Sequence, residues 1–152
     1  MSTRIKNPAM VLPHATKAIQ ELVEVVQSVG LPEETMGLVH LRASQINGCG
    51  FCVVSGAMGA KRAGETDERL FAVSAWREAP WFGERERAAL ALSEAMTRLS
   101  DQSDPVPDEI WDEVAKHFDE RELAALVIWI ATTNLFNRVN VTIQQPAGAS
   151  WG

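Results

Sequence analysis

Hydrophobic residues recur every three or four positions through most of the chain, which is the period of an α-helix that buries one face. The apolar positions of the first two segments are Ile19, Leu22, Val23 and Val26, followed by Met36, Val39, Ala43 and Ile46. They predict one helix from Ala15 to about Ser28 and a second from Pro32 to about Ile46. Gly30 and Pro32 separate the two, because glycine ends helices and proline suits a first helical turn.

Five more helices are predicted downstream, over residues 49–63, 67–76, 84–99, 108–118 and 120–139. Asn47 and Gly48 interrupt the chain before the first of these, and Thr66 is the predicted N-cap of the second. Residues 1–13 and the last dozen residues lack the periodic pattern and are predicted to be irregular. No stretch alternates like a strand, so the predicted fold class is all-α, with an N-terminal arm over 1–14, a helical domain over 15–142 and a C-terminal tail over 143–152.

The chain of 152 residues is long enough for a single domain to bury its own core without disulfides or metals. Its formal net charge of −6 argues against a nucleic-acid partner and against an anionic membrane surface, since both require a basic face. No apolar stretch reaches the roughly 18 residues of a membrane span, and no export segment is recognisable. We therefore expect a cytoplasmic protein, in a compartment where thiols stay reduced.

The only two cysteines, Cys49 and Cys52, stand three residues apart directly after the Asn47-Gly48 break. Residues three apart share one helix face, so the two sulfurs are able to meet as a disulfide. A position in the first helical turn would place Cys49 in the field of the helix dipole, which favours the reactive thiolate. Two alternatives stay open, namely buried cysteines that act as small apolar residues and a zinc site. Zinc is disfavoured because no second CxxC is present and the three histidines are scattered.

Four fragments of the sequence carry a family resemblance. They are "LR-SQINGC--C" from Leu41 to Cys52, "AG-T-ERL" from Ala63 to Leu70, "AWRE-P-F-ERERAAL" from Ala75 to Leu90, and "N--NR-NV" from Asn134 to Val141. With them the chain resembles the AhpD-like alkylhydroperoxidases of the carboxymuconolactone decarboxylase superfamily over residues 15–142. The resemblance implies an AhpD-like helical bundle with the CxxC at a helix N-terminus, assembled into dimers, trimers or hexamers. It also implies a thiol peroxidase that acts on a peroxide or disulfide substrate, is reduced by a dithiol protein and needs no cofactor.

The resemblance assigns different roles to the two cysteines. It implies that Cys52 meets the peroxide and that Cys49 resolves the product as a disulfide. The position nearer the helix start instead favours Cys49 as the more acidic thiol. For the cysteine that reacts with peroxide we follow the resemblance, because the order also depends on burial.

Two positions depart from the family pattern. The family places a glutamate twelve residues before the first cysteine and a histidine four residues after the second, and these positions are Gly37 and Gly56 here. General acid–base help is worth about 10²–10⁴ in rate, so its loss matters. His40, one turn beyond Gly37, is the candidate base or counter-charge, unless it is simply an exposed polar residue. The two missing side chains also predict an enlarged pocket beside the CxxC.

Three functions remain after this comparison. The first is a CxxC-dependent thiol–disulfide oxidoreductase with peroxidase-type activity on hydroperoxides. The second is a family member that has lost the proton relay and works as a non-peroxidase binding or redox-sensing module. The third is a lactone decarboxylase or isomerase, ranked last because that branch of the superfamily lacks this CxxC.

Two polar groups outside the CxxC are assigned structural roles. Arg42 is predicted to form an ion pair with Glu78 or Glu86. Asn134 and Asn137 lie three apart in the last predicted helix, and buried amides require hydrogen-bond partners. We therefore expect them to tie that helix to a neighbouring backbone.

Overall fold

The computed structural model describes residues 2–149, and every regular element in that range is a helix. The α-helices are α1 (Pro8–Val11), α2 (Pro13–Gln27), α3 (Glu33–Ile46), α4 (Gly50–Arg62), α5 (Asp67–Ala72), α6 (Glu84–Thr97), α7 (Asp108–Ala115) and α8 (Glu120–Ile143). Short 3-10 turns follow α5 and α6, at Val73–Ala75 and Leu99–Asp101. The all-α prediction is confirmed. Residue 1 and residues 150–152, the end of the predicted tail, lie outside the described range.

The predicted helices are present, and the differences lie at their ends. The N-terminal segment predicted to be irregular contains α1, and α2 already begins at Pro13. Pro32 is the N-cap of α3 instead of part of its first turn. Helices α5, α6 and α7 end earlier than predicted, at Ala72, Thr97 and Ala115. Helix α8 instead continues past residue 139 to Ile143, where Gln144 adopts a left-handed conformation with φ 57° and ends it.

Helix α3 lies at the centre of the fold, in contact with α4, α6 and α8. Its buried residues face two separate hydrophobic cores. The first core includes Val39, Leu92, Val114, Leu126 and Ile130, and the second includes Leu38, Leu41, Val73, Trp76, Phe82 and Leu90. Each fully buried side chain of this kind contributes about 1.5–3 kcal/mol to stability. Because α3 is packed on opposite sides, it holds His40, which lies between Val39 and Leu41 in sequence, in a well-defined position.

Helix α8 is apolar around much of its circumference, which suits a helix that is covered on several sides. It packs against α2, α3, α4 and α6. Within residues 2–149, no helix combines the length and the apolar character that crossing a bilayer requires. The packing of α8 against both α3 and α4 brings its polar residues to the start of α4, where the cysteines lie.

Candidate redox site

Cys49 and Cys52 form a disulfide at the N-terminus of α4, with their Cα atoms 5.3 Å apart. Cys49 is the N-cap residue, so the prediction that it lies in the first helical turn is wrong by one position. Its Sγ accepts a hydrogen bond from the backbone N–H of Cys52 at 3.2 Å, in the way that a serine oxygen caps a helix. The two cysteines are only 1% and 2% exposed. A reactant therefore reaches the sulfurs only after a local opening of the surrounding structure.

Uncharged side chains hold the turn before Cys49. Asn47 Nδ2 donates to Asn134 Oδ1 and to Asn137 Oδ1, each at 2.9 Å. Asn137, which is fully buried, in turn donates to Ser44 Oγ at 2.9 Å. Asn134 and Asn137 thus tie α8 to the side chains of α3 and its C-terminal turn, whereas the sequence predicted a tie to backbone. This network fixes the position of Cys49 relative to α8.

Asn140 is the side chain of α8 that contacts a sulfur atom. Its Nδ2 lies 3.4 Å from Cys52 Sγ, and its Oδ1 is buried without a hydrogen-bond partner. The residue is 2% exposed. The sequence places Asn140 in the last family fragment but assigns it no role, because only the packing of α8 on α4 shows which polar residue meets Cys52.

His40 reaches the second cysteine through the backbone and not through the sulfur. Its Nδ1 lies 3.3 Å from Thr133 Oγ1, and its ring also hydrogen-bonds to the backbone of Cys52. Burial lowers the pKa of His40, and the contact with the Cys52 backbone opposes this shift in part. The imidazole is half-buried and is neutral near pH 7, which suits a proton acceptor and not a counter-charge.

The ring of His40 occupies the space next to Gly56. A Cβ atom at position 56 would lie 2.7 Å from His40 Cδ2 and 3.1 Å from His40 Nε2. A side chain on α4 at this position and the present His40 ring therefore exclude each other. Where the family pattern has a histidine on α4, this chain has an imidazole delivered from α3.

A cavity of about 570 Å³ lies between α3 and α4. Its lining includes Gly37, His40, Gly56 and Trp129. The predicted pocket beside the CxxC is thus present only on the Gly37 side and does not reach the sulfurs. His40 fills the part beside Gly56, whereas a Cβ at Gly37 would meet only Ala60 Cβ, at 3.7 Å. The lining contains three carboxylate residues, Glu33, Glu34 and Glu65, and no lysine or arginine. Neither cysteine lines this cavity.

The segment after α8 lies across the start of α4. Gln145 N–H donates to Asn140 O at 2.9 Å and turns the chain back toward the disulfide. A Cβ added at Gly50 would lie 3.7 Å from Ala147 Cβ, which is ordinary van der Waals contact. The described part of the predicted tail therefore covers one side of the CxxC.

The prediction for Arg42 is wrong in its partner. Arg42 Nε donates to Glu94 Oε1 at 2.7 Å, and not to Glu78 or Glu86. The same carboxylate accepts from Trp76 Nε1 at 2.9 Å and from Arg77 Nη1 at 2.6 Å. The sequence offers several acids in this region, and the packing of α3 on α6 decides which of them Arg42 meets.

Within residues 2–149, no three side chains of the metal-binding types come together in a way that could hold an ion. His117 lies 3.2 Å from Glu113 Oε1 on α7, and His14 is exposed on α2. The structure thus brings Cys49, Cys52, His40, Thr133 and Asn140 together. It leaves the other two histidines outside this group.

A model of the carboxymuconolactone decarboxylase family matches residues 13–95 of the chain. The chain is 32% identical to the uncharacterized protein YdfG of Bacillus subtilis over 139 residues, which cover 91% of this chain and 93% of YdfG. It is also 37% identical to the uncharacterized protein YnjA of Escherichia coli over 111 residues. That match covers 72% of this chain and 59% of YnjA.

Solved structures share the fold. A protein of unknown function from Agrobacterium tumefaciens, provisionally described as the antioxidant defence protein AhpD, superposes with a TM-score of 0.89 and 34% identity. That match covers 98% of this chain and all of the other. The debrominase Bmp8 superposes with a TM-score of 0.80 at 22% identity, over 90% of this chain and 73% of its own. At that identity the likeness to Bmp8 shows the fold alone.

Proposed function

Because the chain belongs to the carboxymuconolactone decarboxylase family, we propose that it is a thiol–disulfide oxidoreductase that reduces hydroperoxides through Cys49 and Cys52. The observation that carries this proposal is the Cys49–Cys52 disulfide at the capped N-terminus of α4. A disulfide closed over three residues beside a helix N-terminus is able to cycle between dithiol and disulfide without rearrangement of the bundle. The provisional antioxidant description of the Agrobacterium protein supports the same class of reaction.

The proposed cycle begins with the reduced protein. The Cys52 thiolate attacks the hydrogen-bearing oxygen of a hydroperoxide, so that an S–O bond forms and the O–O bond breaks. Cys52 is oxidised to a sulfenic acid, and the hydroperoxide is reduced to an alcohol. The Cys49 thiol then displaces water from the sulfenic acid and forms the disulfide. A dithiol protein reduces that disulfide by exchange and becomes oxidised itself.

His40 is the proposed proton acceptor for Cys52. Its lowered pKa keeps the imidazole neutral near pH 7, and its ring already contacts the backbone of Cys52. The local opening that admits the hydroperoxide must also bring Sγ within reach of the ring, directly or through one water, so that the thiol proton passes to His40 and from there to the alkoxide that leaves the hydroperoxide. Thr133, 3.3 Å from Nδ1, orients the ring for this transfer. The proton relay lost at Gly37 and Gly56 is thereby replaced in part from α3.

A second candidate is a non-peroxidase redox-sensing module. The burial of both cysteines at 1–2% exposure favours it, because reactive thiols are ordinarily accessible to their substrates. In such a module the disulfide forms slowly and changes a contact, without turnover of peroxide.

A peroxidase assay with a dithiol reductant separates the two candidates. The expected result is catalytic consumption of cumene hydroperoxide by the wild type and none by Cys52→Ser. Cys49→Ser is expected to react once per subunit and then stop, since no resolving thiol remains. Absence of turnover in the wild type, with the disulfide still formed and reduced reversibly, favours the sensing module. Lactone decarboxylase or isomerase activity that survives replacement of both cysteines would point to the third candidate instead.

Three further expectations stay predictions. These are the dithiol protein partner, the cytoplasmic location, and assembly into dimers, trimers or hexamers. Exposed apolar side chains on α1, α2 and α8 support assembly, among them Met10, Val25 and Leu135 at 54%, 60% and 40% exposure. Size-exclusion chromatography with light scattering measures the assembly directly.

A further inference from the structure

The two ends of the Asn140 amide are in different situations beside Cys52. Nδ2 lies 3.4 Å from Cys52 Sγ, and both residues are 2% exposed. A disulfide sulfur carries no hydrogen, so the end of the amide that faces it is the N–H donor. Oδ1 is also buried, and it has no hydrogen-bond partner.

An unpaired buried acceptor is unfavourable, and the great majority of such atoms in folded proteins are paired. Thr132 and Thr133 on the same helix have partners for their hydroxyl groups, at Ile128 O and His40 Nδ1. Among the described residues, Asn7, Glu65 and Arg85 also have a buried side-chain atom without a partner, but the unpaired Oδ1 of Asn140 belongs to an amide that contacts the sulfur proposed to react. This combination indicates a partner that joins Oδ1 at another stage of the reaction.

We infer that Asn140 holds both reactants: its N–H stabilises the Cys52 thiolate, and its Oδ1 accepts a hydrogen bond from the O–H of the incoming hydroperoxide. The inference rests on the proposed function and adds to it a substrate-binding group. A reacting oxygen approaches a nucleophile to about 3–3.5 Å, and an O–H···O hydrogen bond spans about 2.5–3.0 Å. Because the nitrogen and oxygen of one amide are neighbours, an oxygen in contact with Sγ is within reach of Oδ1.

The hydrogen bond to Oδ1 persists through the step. Sγ attacks the oxygen that bears the hydrogen, the O–O bond breaks, and that hydrogen stays on the oxygen of the new sulfenic acid. The alkoxide leaves with the proton that Cys52 gave up. Asn140 therefore selects substrates with an O–H beside the reacting oxygen, which are alkyl hydroperoxides and hydrogen peroxide. Dialkyl peroxides lack the donor and are not substrates.

Two variants separate the two ends of the amide. Asn140→Asp keeps an acceptor oxygen but replaces the donor by a negative charge, and Asn140→Leu removes both polar ends at similar volume. Each is made in a Cys49→Ser background, so that Cys52 is the single thiol. The reduced proteins react with tert-butyl hydroperoxide and with methyl methanethiosulfonate, which has no hydrogen-bond donor. Second-order rates are measured as a function of pH for both reagents.

For Asn140→Asp we expect the apparent pKa of Cys52 to rise by about one unit, which lowers both rates about tenfold near neutral pH. The ratio of the two rates stays unchanged, because an acceptor oxygen remains. For Asn140→Leu we expect the rate with tert-butyl hydroperoxide to fall about tenfold further than the rate with methyl methanethiosulfonate. Thr132→Val, a buried change on the same helix away from the sulfurs, is the control and is expected to leave both rates unchanged.

Each outcome decides one part. An unshifted pH profile in Asn140→Asp overturns the donor role, and an equal loss with both reagents in Asn140→Leu overturns the acceptor role. If Asn140→Leu does not fold by circular dichroism, Asn140→Ala takes its place. If the parent reacts with the hydroperoxide no faster than free cysteine while reacting with the thiosulfonate, the proposed function fails and takes the acceptor role with it.

Discussion

The turn that carries the cysteines and the junction of α3 with α6 are both held by buried polar side chains, but their chemistry differs. Around Asn47 the contacts join neutral amides and hydroxyls, with Arg138 Nη1 touching Asn134 Oδ1 at the exposed edge. Around Glu94 one carboxylate, 14% exposed, accepts from two arginines and a tryptophan. The two regions are adjacent along α3, since Arg42 and Ser44 belong to the same turn.

This difference shows how one fold separates stability from redox chemistry. A fixed charge within a few ångströms of a thiol shifts its pKa, whereas a neutral amide orients the thiol without imposing a net charge. The network beside the CxxC is therefore insensitive to pH over the range in which thiols are titrated. The network around Glu94 depends on pH, because it requires an ionised carboxylate.

The largest expected effect is on the charged side. Glu94→Ala removes the acceptor shared by Arg42, Arg77 and Trp76. Arg77 is exposed, but leaving Arg42 without its carboxylate in a mostly buried site costs about 3 kcal/mol. Urea denaturation near neutral pH measures this loss. Glu113→Ala, which removes an exposed pair with Lys116, is the control and is expected to change nothing measurable.

The same variant gives the pH dependence of the charged side. Burial alone would raise the pKa of Glu94, but hydrogen bonds from Trp76, Arg42 and Arg77 outweigh it and lower the pKa below 4.5. The stabilisation by ionised Glu94 is thus full above the unfolded value of 4.5 and is lost as pH falls through the lower folded value. The cost of Glu94→Ala should shrink in that acid range. A constant cost down to acid unfolding contradicts the assignment.

A smaller effect is expected on the neutral side. Asn137→Ala leaves Asn47 Nδ2 and Ser44 Oγ with fewer partners, and an unsatisfied buried polar group costs about 1–3 kcal/mol. The loss should be the same at neutral pH and at pH 5, because no member of this contact titrates between them. A dithiol should also reduce the Cys49–Cys52 disulfide of the variant faster than that of the wild type, because the turn before Cys49 is loosened. A cost that shrinks in acid, as for Glu94→Ala, would break the contrast between the two networks.

The third prediction concerns the contact between Gly56 and His40. Gly56→Ala forces the His40 ring away from Thr133 and from the Cys52 backbone, and we expect a net loss of about 1 kcal/mol. In a His40→Ala background the same change should stabilise the protein by about 0.5–1 kcal/mol, because alanine is the better helix former. The reversal of sign in this double-mutant cycle is the measurement. Equal effects in both backgrounds would show that the ring does not occupy this space.

The smallest expected effect is the pH dependence of the stability that His40 contributes through its contact with the Cys52 backbone. Because burial lowers its pKa, the unfolded chain takes up a proton below about pH 6.5 that the folded chain refuses. The stabilisation by neutral His40 is therefore full above that pH and declines as the pH falls through the lower folded value. His40→Gln does not titrate, so its cost relative to the wild type should become smaller between pH 8 and 5. If the destabilisation by His40→Gln instead grows as the pH falls, the pKa of His40 is raised and its imidazole is charged in the folded protein.

Sequence reasoning located the helices from α2 onward and the place of the cysteine pair, but it missed α1. The period of apolar residues locates α2, α3, α6 and α8 because each of these helices buries a defined face. The helix ends depend on single caps, and the N-cap of α4 is Cys49 itself, one residue after the Asn47-Gly48 break. The left-handed Gln144 that ends α8 has no distinctive sequence signal.

The contacts between helices could not be read from the sequence. Asn140 and Cys52 are far apart in the chain, and their contact depends on the rotation and register of α8 against α4. Arg42 has acids available at several positions, and the packing of α6 selects Glu94. His40 could be identified from the sequence because it lies one turn from Gly37. Its overlap with the space at Gly56 depends on how α3 packs against α4, which the sequence does not show.

The imidazole beside Gly56 has a consequence for how such proteins are recognised. A pattern that demands histidine at a set interval after the second cysteine tests one helix only, while the space beside that position can be filled from the neighbouring helix. Chains of this kind lack the histidine of the motif although an imidazole lies beside that position. Three-dimensional superposition of ring atoms, instead of alignment columns, is the criterion that would group them correctly.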